Sequence, residues 1–548
     1  MFFRVKPARG YRYLQIARSV REGKKVRQVI LATLGRLDLL EATGQLERLL
    51  RSGLRYCQQI QVLDAHAAGE TKPVSIRKLG ADLVFGRLWE ELGLPEIIRG
   101  LARERRFGFD LERAIYLTVL HRLFASGSDR AAERWKESQR IPGVEALELH
   151  HLYRAMAWLG EAVGKEDVLG APRCTKDLIE EALFDRGRDL FSEVGLVFFD
   201  TTSIYFEGNG GETLGRHGHS KDHRPDLRQM IVGVVVDACG RPLCCELWPG
   251  NTADAKTLVP MIKRMRAKFR VRELCVVADR GMVSEATLSA LGKMEPPVNY
   301  IVGARMRRIK EVSEVVLKSR APWQEIHPER KQSKDPAPLK IREVLVEDRR
   351  YVVCLNEEER RKDAHDRAAI IQALREQLRR GDKSLVGNKG YRRFLKVEKA
   401  GRFAIDEKQI AAEARYDGIY VLRTDTELDA ETVADAYKML WMVEESFRTA
   451  KTTLETRPIY HQRDEAIRGH VFCSFLALVL KRELEIRMAA KELKWEWAEV
   501  LRGLDHLQEV EAELQGQRYL LRSELLGHAS QALRGAQVAA PPPLRESH

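Results

Sequence analysis

The sequence predicts a mixed α/β chain, α+β overall, and three observations carry that reading. Two strongly apolar runs, Val194–Phe199 and Glu273–Ala278, each end in an aspartate, Asp200 and Asp279. Between them lie two further strand-like runs and one helix-period segment, an order that lets the first and last strands lie parallel, side by side. Helical periodicity brackets this block, from about 76 to 190 before it and from Asp429 onward after it.

The 548 residues carry 93 Lys+Arg against 80 Asp+Glu, a formal charge of +13. At about 100–200 residues per domain, this length accommodates three to five domains or one elaborated core. The longest strongly apolar run, Val471–Leu480, lies between Arg468 and Lys481, well short of the ~20 residues that span a bilayer. The opening Met1-Phe2-Phe3-Arg4 lacks the layout of a secretory signal. Eight cysteines without a C-x-x-C pair exclude a disulfide scaffold and argue against a zinc ribbon. A cytoplasmic, membrane-free protein is expected, nucleoid-associated when active.

The charge is concentrated. Residues 1–36 hold ten Lys/Arg and one acid, Glu22, a net of +9 that leaves only +4 for the rest of the chain. With Tyr11 and Tyr13 interleaved, residues 1–75 read as a basic arm for a polyanion, most often nucleic acid. Arg9, Arg12, Lys24 and Lys25 are its candidate DNA contacts; the alternative is a solvated terminal segment.

Next comes a helical stretch, 76–190, expected as a DNA-binding domain, although helix packing alone explains the pattern equally well. Val84, Leu88 and Leu92 repeat at i, i+4, i+8, ending at Gly93-Leu94-Pro95. Helical patterning also covers Leu111–Phe124 and about 149–163. In the block 191–295, strands are expected at Ile231–Val236 and Pro242–Trp248, then a helix at about 253–268 with Thr252 or Asp254 placed to cap it. Residues 296–425 show short strands and a charged helical segment, Glu357–Arg380, read as a β-rich insertion with its own small sheet. Segment 426–485 returns to helix, and 486–548 reads as a helical C-terminal segment ending in the loose Pro541-Pro542-Pro543 tail.

The chemistry gathers on YKMLWMVEESFRTAK, Tyr437–Lys451. Read as one helix, it puts Tyr437, Glu444 and Lys451 on one line that drifts only ~20° per heptad, with Trp441 and Arg448 in or beside it. Such a mixed face is poor for core packing and suited to gripping phosphate. Bringing Glu444 beside Asp200 and Asp279 assembles three carboxylates, the donors preferred by Mg²⁺ or Mn²⁺. Taken singly, each has a duller reading: an Asp at a strand end caps a turn, and a Glu beside Lys and Arg pairs ions. In Gly215–Asp226, His217, His219 and His223 with Asp222 and Asp226 are loosely spaced for zinc. The favoured reading is a loop lying on DNA through Lys221 and Arg224; an ordered surface loop remains the alternative.

With these residues in view, the chain resembles the DDE transposases of bacterial insertion sequences, in the hairpin-type branch with a sheet-rich insertion between the second Asp and the Glu. Their Tyr-x2-Arg-x3-Glu-x6-Lys signature is met by Tyr437, Glu444 and Lys451, with Leu440 where Arg usually stands. The likeness continues through FFDTTSIYFEG (Phe198–Gly208), GHSKDHRPDLRQ (Gly218–Gln229), PGNTAD (Pro249–Asp254), VVADRGM (Val276–Met282) and LETRPIYH (Leu454–His461).

The resemblance implies a ribonuclease-H-like core. It makes Asp200, Asp279 and Glu444 the ligands of two Mg²⁺ or Mn²⁺ ions, with Tyr437 and Lys451 on phosphates and Trp441 on a flipped base. With Leu440 in place of the usual Arg, either Arg448 stands in for it or excision follows a route other than the hairpin. The implied activity is cleavage at an element's terminal inverted repeats and strand transfer into target double-stranded DNA, by a homodimer on DNA. Two alternatives stand beside it: a non-catalytic DNA-binding protein or host-adopted remnant, and a ribonuclease-H-like nuclease.

Overall fold

The computed structural model describes residues 2–8, 10–22, 25–54, 65, 67–69, 72–164, 171–187, 195–328, 337–380, 393–397, 403–493, 495–514 and 517–546. The chain divides into two compact units, one of Met1–Gly80, Ala498–Ser530 and Ala539–His548, the other of Ala81–Trp497 and Gln531–Val538.

In the first unit, β1 (Phe2–Ala8), β2 (Tyr11–Glu22) and β3 (Lys25–Arg36) form an antiparallel sheet in that order. The most basic part of the arm, residues 2–36, is therefore a folded sheet, followed by helices Leu37–Ala42 and Gln45–Leu54. Arg12 is exposed on β2, and Arg36 stacks on Tyr11, 3.5 Å from the ring centre. Arg9 and Lys24 lie outside the described residues, as does the side chain of Lys25.

A second sheet joins β4 (Lys72–Lys78) to β16 (Gln508–Leu514), β17 (Gln517–Arg522) and β18 (Leu544–Glu546), in the order β18-β17-β16-β4. The expectation of an all-helical segment over 486–548 is thus corrected: strands and helices share it. The reason is legible in Gln508-Glu509-Val510-Glu511-Ala512-Glu513-Leu514, where glutamates alternate with apolar residues at the strand period of two.

The second unit is built on a nine-stranded sheet, order β10-β11-β12-β15-β9-β8-β5-β6-β7. Its centre is β5 (Leu196–Tyr205), β6 (Gln229–Asp237), β7 (Pro242–Pro249), β8 (Cys275–Ala278) and β9 (Asn299–Gly303). Strands β5, β6 and β7 pair antiparallel, whereas β8 lies parallel to both β5 and β9. The order expected from sequence is present, and Phe199 pairs with Ala278. One detail differs: β5 continues through Tyr205, so Asp200 lies within the strand.

Among its described residues, the insertion carries no sheet of its own beyond the hairpin β13 (Leu395–Val397) and β14 (Phe403–Ile405). Its strands β10 (Gln324–His327), β11 (Leu339–Val346), β12 (Arg349–Leu355) and β15 (Ile419–Thr424) extend the core sheet, because β15 pairs with the edge of β9. An unpaired edge of strong β-formers is satisfied by further pairing.

Before the core come α1 (Gly80–Glu91), α2 (Leu94–Leu101), α3 (Leu111–Phe124), α4 (Asp129–Trp135), α5 (Leu149–Gly160) and α6 (Thr175–Arg186). Asp110 caps α3 by accepting from the Arg113 amide. Within the sheet order, α7 (Leu258–Phe269) follows β7, and α8 (Glu357–Arg380) is the charged insertion helix. Helices α9 (Ala430–Lys438), α10 (Trp441–Arg448) and α11 (Asp464–Ala490) close the unit.

Helix α11 is apolar on most sides and buried against α3 and α5. Gly160 and Gly469 mark that crossing: a Cβ on Gly469 would stand 1.9 Å from the Met156 carbonyl oxygen. The contact also buries Arg122, which donates to Ser474 Oγ (3.1 Å) and lies 3.0 Å from His470 Nδ1. Among the described residues, no helix is long and apolar enough to cross a membrane.

Candidate active site

Alternation along β5 puts Phe199 on the face packed by Leu258, Met261 and Ile262 of α7 and turns Asp200 to the opposite face, where α10 packs on β5. Asp279 is the first residue after β8, one step beyond the Phe199–Ala278 pair. Glu444 stands exposed on α10, whose Met442, Val443 and Phe447 are buried. The three acids line one cleft with Asn356, Tyr420, Tyr437, Lys438, Leu440 and Trp441. Residues 79 and 244 positions from Asp200 in sequence thus meet in one place.

Each acid has its own surroundings. Burial pushes the Asp200 carboxyl up to about 6, with Asp279 and Asp254 adding to the rise, while Lys221 and the Thr201 amide oppose it. That amide donates to Asp200 Oδ1 at 2.7 Å. Asp279 Oδ1 accepts from the Tyr437 hydroxyl at 3.0 Å, and burial and this carboxylate both raise the Tyr437 pKa. Tyr437 stacks on Tyr420 of β15, ring centres 5.9 Å apart. Gly303, at the end of β9, makes room for it: a Cβ there would stand 2.6 Å from the Tyr437 hydroxyl.

The continuous helix expected over Tyr437–Lys451 is not formed. Tight i→i+3 bonds at Leu440, Met442 and Val443 separate α9 from α10, and after Arg448 the chain winds into a π-helix, Thr449–Thr453. Tyr437, Glu444 and Lys451 therefore do not form one line. Tyr437 turns to Asp279, while Lys451 turns to Asp222, Nζ to Oδ1 2.8 Å. Burial lowers the Lys451 pKa, and Asp222 partly offsets this. Trp441 is 52% exposed at the cleft, Leu440 is buried beside it, and Arg448 is exposed.

The loop read as DNA-facing is anchored at its centre. Lys221 Nζ donates to the Thr201 carbonyl (2.6 Å) and pairs with Asp254 Oδ2 (3.2 Å). Arg224 pairs with Asp226 at 2.8 Å on the surface. His217, His219 and His223 are exposed and form no ligand-spaced group among the described residues. Asp254 does not cap α7; its Oδ1 accepts from Thr201 Oγ1 at 2.8 Å. Sequence reasoning missed its place beside Asp200, and missed Asn356 and Tyr420, which reach the cleft from the insertion. The only signal for Asp254 was its motif, PGNTAD.

Among the described residues, Asp177, Glu180 and Glu246 are the one acidic trio whose ligand atoms lie within 4.8 Å of one another. That trio is already neutralised. Lys268 Nζ lies 2.7 Å from Glu180 and 2.6 Å from Glu246, Lys176 Nζ 2.9 Å from Asp177, and Arg264 Nε 3.0 Å from Glu246. Three buried cations on three buried acids form a closed ion network, the usual condition for burying such charges.

Comparison with known families decides the identity. The family model for the transposase DDE domain matches residues 194–480, more than half of the chain. The chain is a DDE transposase. The N-terminal domain of IS1634 family transposases matches residues 3–67, the region of the arm sheet. The transposase is an enzyme of DNA phosphoryl transfer, and DDE transposases use divalent metal ions.

Among solved structures, the piggyBac transposase synaptic complex with hairpin DNA is 11% identical over 78% of each chain, TM-score 0.36. The Mos1 transposase paired-end complex with left transposon end is 12% identical over 34% of this chain and 57% of that one, TM-score 0.14. A comparison with curated proteins gives no match.

Proposed function

We propose that Asp200, Asp279 and Glu444 are the catalytic residues of this transposase and hold two divalent ions, Mg²⁺ or Mn²⁺. The observation that carries the reading is the convergence of these three carboxylates, from β5, the end of β8 and α10, on one cleft. The donor set fits: hard oxygens suit hard cations. Bound there, the ions supply Lewis-acid charge at the scissile phosphodiester.

The protein's own groups prepare that site. Tyr437 fixes the orientation of Asp279 through its hydroxyl. Lys221 supplies positive charge close to the half-buried Asp200. Trp441 offers an exposed ring on which an unpaired base can stack. Arg448, exposed at the end of α10, and Arg12 on the arm sheet are cations for phosphate. Lys451, Lys221 and Arg224 are engaged with acids in this structure, so a phosphate contact from any of them requires exchange of that partner.

In the first reaction, water attacks a phosphodiester at the element's terminal inverted repeat. A P–O bond to the water oxygen forms, the bond to the 3′ oxygen breaks, and a 3′-OH is released. In the second, that hydroxyl attacks a phosphodiester of target DNA and displaces its 3′ oxygen. Two element ends must be joined, so the acting species is a homodimer on DNA, working in the cytoplasm at the nucleoid.

The test is Asp279→Ala with DNA carrying the element's terminal repeats and Mg²⁺. Cleavage is expected to vanish while DNA binding persists in a gel-shift assay. Cleavage retained by a folded Asp279→Ala protein overturns the assignment.

A further inference from the structure

Two adjacent residues, Lys221 and Asp222, touch the Asp200 and Glu444 segments directly and reach the Asp279 segment through Asp254. Lys221 reaches β5: its amide donates to Ser203 Oγ (2.8 Å), and its ammonium to the Thr201 carbonyl (2.6 Å), next to Asp200. The same ammonium pairs with Asp254 at 3.2 Å. Asp254 begins a short 3₁₀ turn that packs on the one at Arg280–Met282, immediately after Asp279.

Asp222 reaches the third segment. Its Oδ1 takes Lys451 at 2.8 Å and Arg457 at 3.5 Å, both beyond Glu444 on the same run of chain. The Asp222 side chain is only 6% exposed, and its Oδ2 accepts no hydrogen bond among the described residues. Its charge is therefore balanced by the cations of the Glu444 segment. Arg457 is held in turn over the ring of Tyr205, the last residue of β5, at 5.5 Å.

We propose that Lys221-Asp222 is a cross-brace that sets the spacing of Asp200, Asp279 and Glu444, and so positions the site to receive its divalent ions. The brace rests on the catalytic reading given above. Glu444 is carried by a short helix between a break at Met439–Leu440 and a π-turn, and Lys451, within that turn, is the point where Asp222 ties the segment to the loop. Groups that orient ligands without touching the reacting atoms are worth about 10–100-fold in metal affinity or activity when removed. Lys221 and Asp222 are positioning residues in this sense. The loop that carries them, which the sequence suggested for zinc or for DNA, acts through its two central residues on the acids.

The test uses the full chain and Mn²⁺ as the probe. Mn²⁺ binding without DNA is followed by the electron paramagnetic resonance of the free ion, and cleavage is titrated with Mn²⁺ in parallel. Asp222→Asn, close in shape, and Lys221→Met are each expected to weaken Mn²⁺ binding about tenfold and to raise the Mn²⁺ concentration for half-maximal cleavage alike. A smaller folded fraction would lower the amplitude without moving either midpoint.

Asp222→Asn combined with Lys451→Met is expected to be no worse than the poorer single variant, since both break one pair. Asp222→Glu is expected to recover most of the affinity, and with Lys451→Met it carries the test if Asp222→Asn does not fold. A wild-type Mn²⁺ response in folded variants overturns the brace. So does a change confined to KM for DNA, which would make the loop a DNA grip. Cleavage by Asp279→Ala overturns the catalytic assignment and the brace with it. Loss of cleavage there, with an unmoved Mn²⁺ midpoint in the brace variants, overturns the brace alone.

Discussion

Asp200 is held in a strand, half-buried, with its carboxyl lifted to about 6 by burial and by the acids around it. A carboxyl whose folded pKa stands above its ordinary 3.8 keeps its proton in the folded state through the window between the two values. In the metal-free protein this shift removes stability as pH rises from about 4 through about 6, because the folded state is the one that retains the proton. A divalent ion must displace that proton. Mn²⁺ affinity is therefore expected to fall about tenfold per unit as pH drops below about 6 and to level off above it. Calorimetric titration across pH 5–8 checks this, and the residual affinity of Asp200→Asn should lose the slope.

At the same scale, Asp200 and Asp279 were nominated because acids at the ends of apolar runs stand out, and Glu444 because it sits in a mixed-charge segment of helical period. Asp254 was not. Its contacts are with Thr201 and Lys221, distant in sequence, and apart from the PGNTAD motif its own neighbourhood reads as a helix cap.

Among the elements, two glycines decide what can approach what. Gly303 lets Tyr437 reach Asp279. In Gly303→Ala, the added methyl meets the hydroxyl, and cleavage is expected to slow about tenfold. The same change placed in Tyr437→Phe, which has no hydroxyl to displace, should cost little more than Tyr437→Phe alone; single-turnover rates measure both. Gly469 lets α11 lie against the backbone of α5. Gly469→Ala forces a shift against the Met156 carbonyl and is expected to cost about 1–3 kcal/mol of stability, read by thermal or denaturant unfolding.

The elements also show where periodicity misleads. Tyr437–Lys451 has an unbroken helical pattern, yet its two ends are drawn to different partners, Asp279 and Asp222, and the helix breaks between them. The insertion's strands were recognisable from composition, but which edge they extend was settled by pairing with β9. The glutamate alternation in 508–514 was visible and was masked by the helical segments beside it.

For the molecule as a whole, charge and chemistry are separated along the chain. The first 36 residues carry +9 of the total +13, whereas the cleft is acidic. On the three-stranded arm sheet, Arg12 is exposed. Arg12→Gln is expected to reduce the slope of log affinity against log salt by about 0.9 while leaving cleavage chemistry intact at low salt. Binding titrations over a series of salt concentrations measure that slope, and an unchanged slope assigns the arm's charge to something other than DNA.

By itself the sequence supplied grounds for the class of the chain and the strand order of its core, which the family match and the sheet bear out, and it nominated three acids and a polyanion partner. These readings follow from local apolar runs and the residues at their ends, from the mixed-charge segment Tyr437–Lys451 and from the basic first 36 residues. Tertiary structure alone decided that the insertion extends the core sheet, that the Glu444 segment is broken, and that Lys221 pairs with Asp254 while Asp222 pairs with Lys451 and Arg457. Those features arise from hydrogen bonds and ion pairs between residues far apart in sequence, such as Lys451 and Asp222 at 229 positions. Such pairings leave no local pattern, because a side chain's partner is set by where the backbone returns to it in space.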